Sequence, residues 1–316
     1  MPKSYTTVLG QRALQAVIVA ITVGIVSFVM MQALPGDAAF RIAAGRYGYD
    51  LMDAAAAEVV RLELGLDQHW SLQLVNWLAS LATLDLGHSF VYGSPVIDEI
   101  SLQLWHTLLL AFSSVAVSIC IALPVGVVSG LKPNGLIDRI TFSLSIFLRS
   151  IPAFALGIVL VLIFAVQLKL LPVAGFKSLQ NLILPSVTLG LGLASVSNRV
   201  IRDSVVEAMN SDWRLFARTK GLSARVTLFA HVSRNASLPV VAYIGVQLAY
   251  LVEGVVIIES VFAWPGIGHA LVHAIFARDI AMVQGTALAL GLTYVALNLT
   301  IDLTCRCIDP RSNSER

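Results

Sequence analysis

A helix needs about 20 consecutive, mostly apolar residues to cross the hydrocarbon core of a bilayer. This chain of 316 residues offers such a run six times, at 13–34, 104–131, 140–168, 183–198, 240–262 and 281–303, the fourth being the shortest. The runs are continuous rather than alternating, which excludes the dyad pattern of a membrane barrel. Composition agrees: 57% of the residues are hydrophobic and 13% charged, against about 25% charged in an ordinary soluble domain. So much apolar surface cannot hide in one globular core of this size. The expected fold is therefore an all-α integral membrane bundle of six transmembrane helices. The first run, preceded by Lys3 and Arg12, is too long for the roughly 7–15-residue apolar core of a signal peptide and reads as an uncleaved anchor.

Charge sets the expected topology. The stretch 36–103 carries Asp37, Asp50, Asp53, Glu58, Glu63, Asp67, Asp85, Asp98 and Glu99 against only Arg41, Arg46 and Arg61. After the fourth run the balance reverses, with Arg199, Arg202, Arg214, Arg218, Lys220, Arg225 and Arg234. The positive-inside rule puts this basic segment in the cytoplasm. Six spans then place both termini there, together with the short loop holding Lys132 and Arg139. The long acidic stretch falls on the outer side. The net charge of +2 gives no argument for nucleic acid.

The segment 201–238 is too polar to span. Val205, Val206, Met209, Trp213 and Phe216 recur at helical spacing with charges between them, the pattern of an amphipathic helix or helix pair. Gly221 suits a left-handed turn after one helix, Ser223 can cap the next, and Pro239 marks entry to the fifth span. A short charged hairpin tied at both ends to spanning helices makes a mechanical lever.

Those residues also carry a family resemblance. Asp212, Arg214, Ala217, Arg218, Lys220, Gly221 and Leu222, followed by His231, Asn235, Ala236 and Pro239, resemble the EAA coupling motif of ABC-importer permeases, in its oligopeptide, dipeptide and nickel branch. Trp213, Phe216, Thr219 and Ser223 depart from the usual residues. Further landmarks of the family stand in order: Leu34-Pro35-Gly36-Asp37, Leu64-Gly65-Leu66-Asp67, Asp85-Leu86-Gly87 with Ser89, Pro152 and Phe154, Leu171-Pro172, Glu259, Val261-Phe262-Ala263-Trp264-Pro265-Gly266-Ile267-Gly268, Arg278-Asp279, Gln284-Gly285 and Asp309-Pro310-Arg311.

The resemblance implies a type I ABC-importer permease bundle in a bacterial inner membrane. It implies an N-terminal span with a long extracytoplasmic loop over 1–100, a permease core over 101–305 and a cytoplasmic tail over 306–316. It further implies a second permease subunit, two ABC ATPase subunits and an extracytoplasmic solute-binding protein as partners, with no cofactor held by this chain. Glu207, Asp212, Arg214, Ala217, Arg218, Lys220, Gly221, Leu222 and Ser223 become the expected ATPase-coupling residues. The chain has no Gly-x-x-x-x-Gly-Lys-(Ser/Thr) loop, so ATP hydrolysis, and any enzyme activity, is expected on the partners. The expected cargo is a di- or oligopeptide; nickel, a metal chelate or another small solute is the alternative within the branch.

Several residues carry two readings. By charge alone, Arg214, Arg218 and Lys220 equally fit a solvated cytoplasmic loop. Pro152, Glu253, Glu259 and Trp264 are candidates for the translocation pathway. An ionisable group inside a membrane points to function by default, yet Glu259 equally fits a structural pair, and Arg149 is expected to pair with a carboxylate inside the bundle. His269 and His273, four residues apart, share a helical face and are a polar edge of a turn unless a third ligand makes them a metal site. Pro124, Pro152 and Pro185 imply kinks. Trp77, Trp105 and Trp264 are expected as interfacial anchors. Cys120, Cys305 and Cys307 have no zinc spacing and read as packing residues. An ion-coupled secondary transporter is the reading from another class, with Glu253 as its hint and no visible inverted repeat. A membrane-embedded enzyme would need a clustered nucleophile or metal set, which the spans lack.

Overall fold

A computed structural model describes residues 5–33, 35–48, 53–83, 85–211, 220–221 and 233–308. Its elements are helices α1 (Tyr5–Ala33), α2 (Ala38–Tyr47), α3 (Ala54–Glu63), α4 (Trp70–Ala82), α5 (Val96–Leu131), α6 (Leu136–Ser150) and α7 (Ala153–Leu160), a π-helical stretch Val161–Gln167, then α8 (Gln180–Asn210), α9 (Ser233–Gly254), α10 (Val256–Val261), α11 (Ile267–Ala277) and α12 (Ile280–Ile308). Among the described residues the only β pairing is a single bridge between His88 and Pro95.

The long apolar runs behave as the sequence predicts where nothing interrupts them. Val8–Met30, Val96–Leu131 and Ile280–Ile308 are long and apolar enough to cross a membrane. Large apolar side chains stand exposed along them, among them Leu14, Ile18, Ile21 and Ile25 on α1, as a lipid-facing surface requires. The third run does not form one straight span. It breaks between Ser150 and Ala153, where α6 and α7 meet at 98°. Pro152 supplies the reason. Its ring disfavours helical backbone at the preceding residue, and Ile151 is extended, at φ −91° and ψ 124°. Helices run on through Pro124 and Pro185 instead. The break also corrects the expectation for Arg149. It lies exposed in the last turn of α6, where its charge complements the helix dipole, and no carboxylate pairs with it among the described residues.

The fourth run is the middle of α8, a helix that continues past Val200 to Asn210, so 201–210 extends that helix rather than starting a separate amphipathic one. The fifth run is interrupted at Val255, between α9 and α10. Pro239 sits inside α9, not at its entry.

The chain forms two compact units. The first takes in the described residues of Leu108–Trp264 and Ala296–Arg316, with Tyr5. Its core gathers Ala122, Ala194, Ile201, Val205 and Ala208. Close helix approach there depends on glycine, as in membrane bundles generally. A Cβ on Gly126 would fall 2.8 Å from the Asn198 carbonyl oxygen, and one on Gly130 2.8 Å from that of Arg202. The second unit comprises Thr6–Thr107 and Pro265–Val295. Val96, Ile100, Ile267, Ala274, Ala281, Met282 and Val283 form its main core, and Ala39, Ile42, Ala43 and Val60 join α2 to α3. Several acids of the 36–103 stretch have structural tasks in it. Asp37 caps α2 by accepting from the Ala39 N–H (3.0 Å), and Asp53 caps α3 through Ala56 (2.7 Å).

Candidate functional site

In the first unit the basic face of α8 is anchored by one carboxylate. Asp138, in the first turn of α6 and 5% exposed, accepts from Arg199 Nη1 and Arg202 Nη2, each at 2.9 Å. The Asn134 backbone N–H donates to it as well, at 2.9 Å. Arg199 and Arg202 are three apart, so both reach the same side of α8. Arg199 also donates to Thr141 Oγ1 (2.7 Å) and to Asn198 Oδ1 (2.7 Å), and its guanidinium lies 5.7 Å from the Phe142 ring centroid. Asn198 in turn donates to Ser145 Oγ at 2.9 Å. Two arginines, one buried carboxylate and three polar side chains thus fix α6 to α8. Charge-assisted bonds of this kind are the strong ones.

Above this node a polar seam continues along α8. Ser113 and Ser186 share a hydrogen bond of 2.7 Å. Ser118 meets Ser197 at 3.2 Å, Ser197 donates to Gln247 Oε1 at 3.0 Å, and Gln247 donates to Tyr243 at 3.1 Å. Helices α5, α8 and α9 are therefore linked by hydroxyl and amide groups rather than by apolar packing alone. Such polar residues keep the fourth apolar run short.

Four of the predicted site residues lie at the surface. Glu207 is exposed on the last turns of α8. Lys220 and Gly221 form an exposed turn, with Gly221 at φ +74° and no described residue within 4 Å of where a Cβ would stand. Pro152 is exposed at the α6–α7 break. Asp212, Arg214, Ala217, Arg218, Leu222 and Ser223 lie outside the described residues, as does the side chain of Glu253. Glu259 and Trp264 are both wholly buried in the first unit. The Trp264 N–H donates to the Glu259 carbonyl at 2.7 Å, across a turn in which Ala263 takes φ +46°. Trp264 is thus not an interfacial anchor. That left-handed residue turns the indole inward, edge-on to Phe176 at 4.8 Å.

The second unit explains why landmarks far apart in sequence stand where they do. Arg278 and Asp279, both buried, clamp the loop before α2 and the turn before α5. Arg278, itself left-handed at φ +54°, donates to the carbonyls of Pro35 and Gly36, the latter at 2.9 Å. The Asp279 carboxylate accepts from Ser89 Oγ and from the backbone N–H groups of Phe90 (3.1 Å), Val91 (3.3 Å) and Met282 (3.2 Å). Gly285 lets α12 approach α5: a Cβ there would lie 2.7 Å from Val96 Cγ1. Beside the clamp a cavity of about 460 Å³ is lined by Gln32, Gln73, Asn76, Trp77 and Gln284 among others. The Trp77 Nε1 and Gln284 Nε2 donors are buried without a partner. His269 and His273 bring their Nε2 atoms to 3.1 Å, as their spacing predicts.

Sequence reasoning missed Asp138, Asn198 and Gln247. Asp138 had a readable signal, being an acid between Lys132 and Arg139 in a segment otherwise expected to be basic.

Comparison with known proteins fits this geometry. Residues 122–314 match the family described as binding-protein-dependent transport system inner membrane component, and residues 6–111 match its N-terminal family. The glutathione transport system permease protein GsiC of Pectobacterium atrosepticum is 37% identical over 95% of this chain and 96% of its own length. The protein of that name from Escherichia coli K12 is 36% identical over 91% of this chain and 92% of its own. The methionine ABC transporter MetNI, in an inward-facing crystal form, superposes with a TM-score of 0.55 at 20% identity, covering 68% of this chain and 98% of that one. With an all-helical membrane architecture and family matches along nearly its whole length, this chain belongs to the inner-membrane permease components of binding-protein-dependent ABC importers.

Proposed function

We propose that this permease forms one half of a peptide-translocation pathway and that the segment 201–238 couples it to an ABC ATPase. One observation carries the coupling: α8 is a single helix from Gln180 to Asn210 whose Arg199 and Arg202 are fixed to α6 through Asp138. A push delivered at its C-terminal end cannot be absorbed locally. It passes along the helix into the seam of Ser186, Ser197 and Gln247, where the bundle must take a second arrangement to open. Glu207, Asp212, Arg214, Ala217, Arg218, Lys220, Gly221, Leu222 and Ser223 meet the ATPase. ATP is bound and hydrolysed there, and this chain holds no cofactor. Pro152, Glu253, Glu259 and Trp264 belong to the part of the bundle that borders the pathway.

A second permease, two ATPases and an extracytoplasmic binding protein complete the assembly. Six spans are counted when the bent α6–α7 pair and the partly polar α8 and α9 are each taken as one, and both termini then lie in the cytoplasm. The acidic stretch 36–103 lies on the outer side, towards the binding protein. Glutathione, the solute in the relatives' names, is itself a short peptide, which supports a di- or oligopeptide cargo.

Co-purification tests the reading. The tagged chain is expressed with its neighbouring genes, and ATPase activity is measured with binding protein loaded with glutathione, dipeptides, oligopeptides or nickel. Bound ATPase subunits, stimulated by a peptide-loaded binding protein, are expected. A chain that purifies alone and moves solute only under an ion gradient overturns the reading.

A further inference from the structure

A second cavity in the Thr6–Thr107 and Pro265–Val295 unit, of about 350 Å³, is lined by Tyr92, Glu99, Gln103, His269 and His273 among others. Its polar lining is rich in acceptors. The two imidazoles project from successive turns of α11, a helix too short to span, with ring centroids 4.5 Å apart and planes at 77°. The Gln103 Oε1 atom is buried with no hydrogen-bond partner.

The separation of the two Nε2 atoms, 3.1 Å, suits a chelate. With metal–nitrogen bonds of about 2.05 Å, two nitrogens this far apart subtend about 98° at a shared ion. That angle lies between octahedral and tetrahedral values, so neither ring need move far. We propose that His269 and His273 form a binding site for a late first-row divalent transition ion, with water completing its coordination. Among the described residues no three of His, Cys, Asp and Glu cluster as a ligand set, so the protein supplies two nitrogens and leaves the remaining positions open.

Imidazole is borderline in softness, so the affinity order is Cu²⁺ above Zn²⁺ and Ni²⁺, and those above Mn²⁺. A plain hydrogen bond between the two rings is the competing account of the short distance, and it predicts no ion at all. The proposal stands independently of the coupling reading.

The test uses the full chain, purified through a histidine-free tag into lipid nanodiscs. It is dialysed against Zn²⁺, Ni²⁺ or Mn²⁺, and bound metal is counted by mass spectrometry. The wild type is expected to take up one Zn²⁺ or Ni²⁺ per chain saturably, and Mn²⁺ far more weakly. His269→Gln and His273→Gln should each weaken Zn²⁺ binding by roughly tenfold or more, since losing a ligand costs at least as much as losing its outer-shell support. His273→Cys replaces one ligand by another and should retain Zn²⁺, a rescue that a purely structural role would not give. Absence of saturable uptake, or unchanged affinity in both glutamine variants, overturns the site.

Discussion

Replacing Asp138 with Asn removes the charge on which the α6–α8 node depends while keeping its shape. The carboxylate accepts three hydrogen bonds, two of them from guanidinium groups at 2.9 Å. An Asn oxygen can keep one or two acceptor contacts, but its amide group must then face a guanidinium as a donor. Hydrogen bonds to charged groups are worth roughly 1.5–3 kcal/mol each, and breaking a buried ion pair costs roughly 3–5 kcal/mol. Arg199 and Arg202 keep about a fifth of their side chains exposed, 21% and 20%, so water repays part of that loss. The expected destabilisation is about 2–3 kcal/mol, or roughly two decades in the population of the opened node.

Thermal unfolding of the purified chain in nanodiscs should show it as a lowered midpoint. The functional readout is the ratio of solute imported to ATP hydrolysed. That ratio should fall more than hydrolysis itself, because under the proposed coupling a loosened α8 transmits less of the ATPase stroke. A double-mutant cycle with Arg202→Gln separates the node from unrelated damage: contacting residues should couple by roughly 1 kcal/mol or more. Additive losses, or wild-type stability in Asp138→Asn, would refute the bracing argument.

Three further outcomes are expected. Gly126→Leu should prevent correct assembly of the α5–α8 contact, since even a Cβ would stand 2.8 Å from the Asn198 carbonyl oxygen, and size-exclusion chromatography should show an aggregated or depleted chain. Trp264→Ala should cost about 3–5 kcal/mol, the usual loss for a fully buried large aromatic, read as a lower thermal midpoint. Asp279→Asn should loosen the Ser89–Val91 turn, because only one of its oxygens remains an acceptor for donors now shared between two, and faster amide exchange over residues 85–95 should report it.

Much of this was legible in the sequence, and the limits are physical. The first, second and sixth apolar runs could be read directly, because length and apolarity alone decide them. The break at Pro152 was readable as a kink but not as a 98° turn, since Pro124 and Pro185 look alike in sequence and do not end their helices. The difference lies at Ile151, whose extended backbone no local pattern announces. Helix α8 runs well beyond the fourth apolar run, because a helix that bonds to its neighbours through Ser186, Ser197 and Asn198 carries polar residues where an apolar run must end. The Arg278-Asp279 landmark could be quoted from sequence, yet its partners at Pro35, Gly36 and Ser89 are some 190 or more residues away in the chain, at separations of 243, 242 and 190. The single carboxylate at Asp138 was lost among basic neighbours, although two arginines three apart with one nearby acid form a pattern that could be searched for.

Gly221 gives the most direct measurement of the coupling claim. Its backbone is left-handed at φ +74°, and among the described residues nothing lies within 4 Å of where a Cβ would stand, so a substitution there is strained by the backbone conformation itself. Asn tolerates that region, whereas a β-branched residue does not. Solute uptake and ATPase co-purification are measured for Gly221→Val and Gly221→Asn, with membrane insertion as the control. The predicted result is that both variants insert, that Gly221→Val neither retains the ATPase nor imports solute, and that Gly221→Asn keeps most of both. Normal uptake by an inserted Gly221→Val chain would contradict the account.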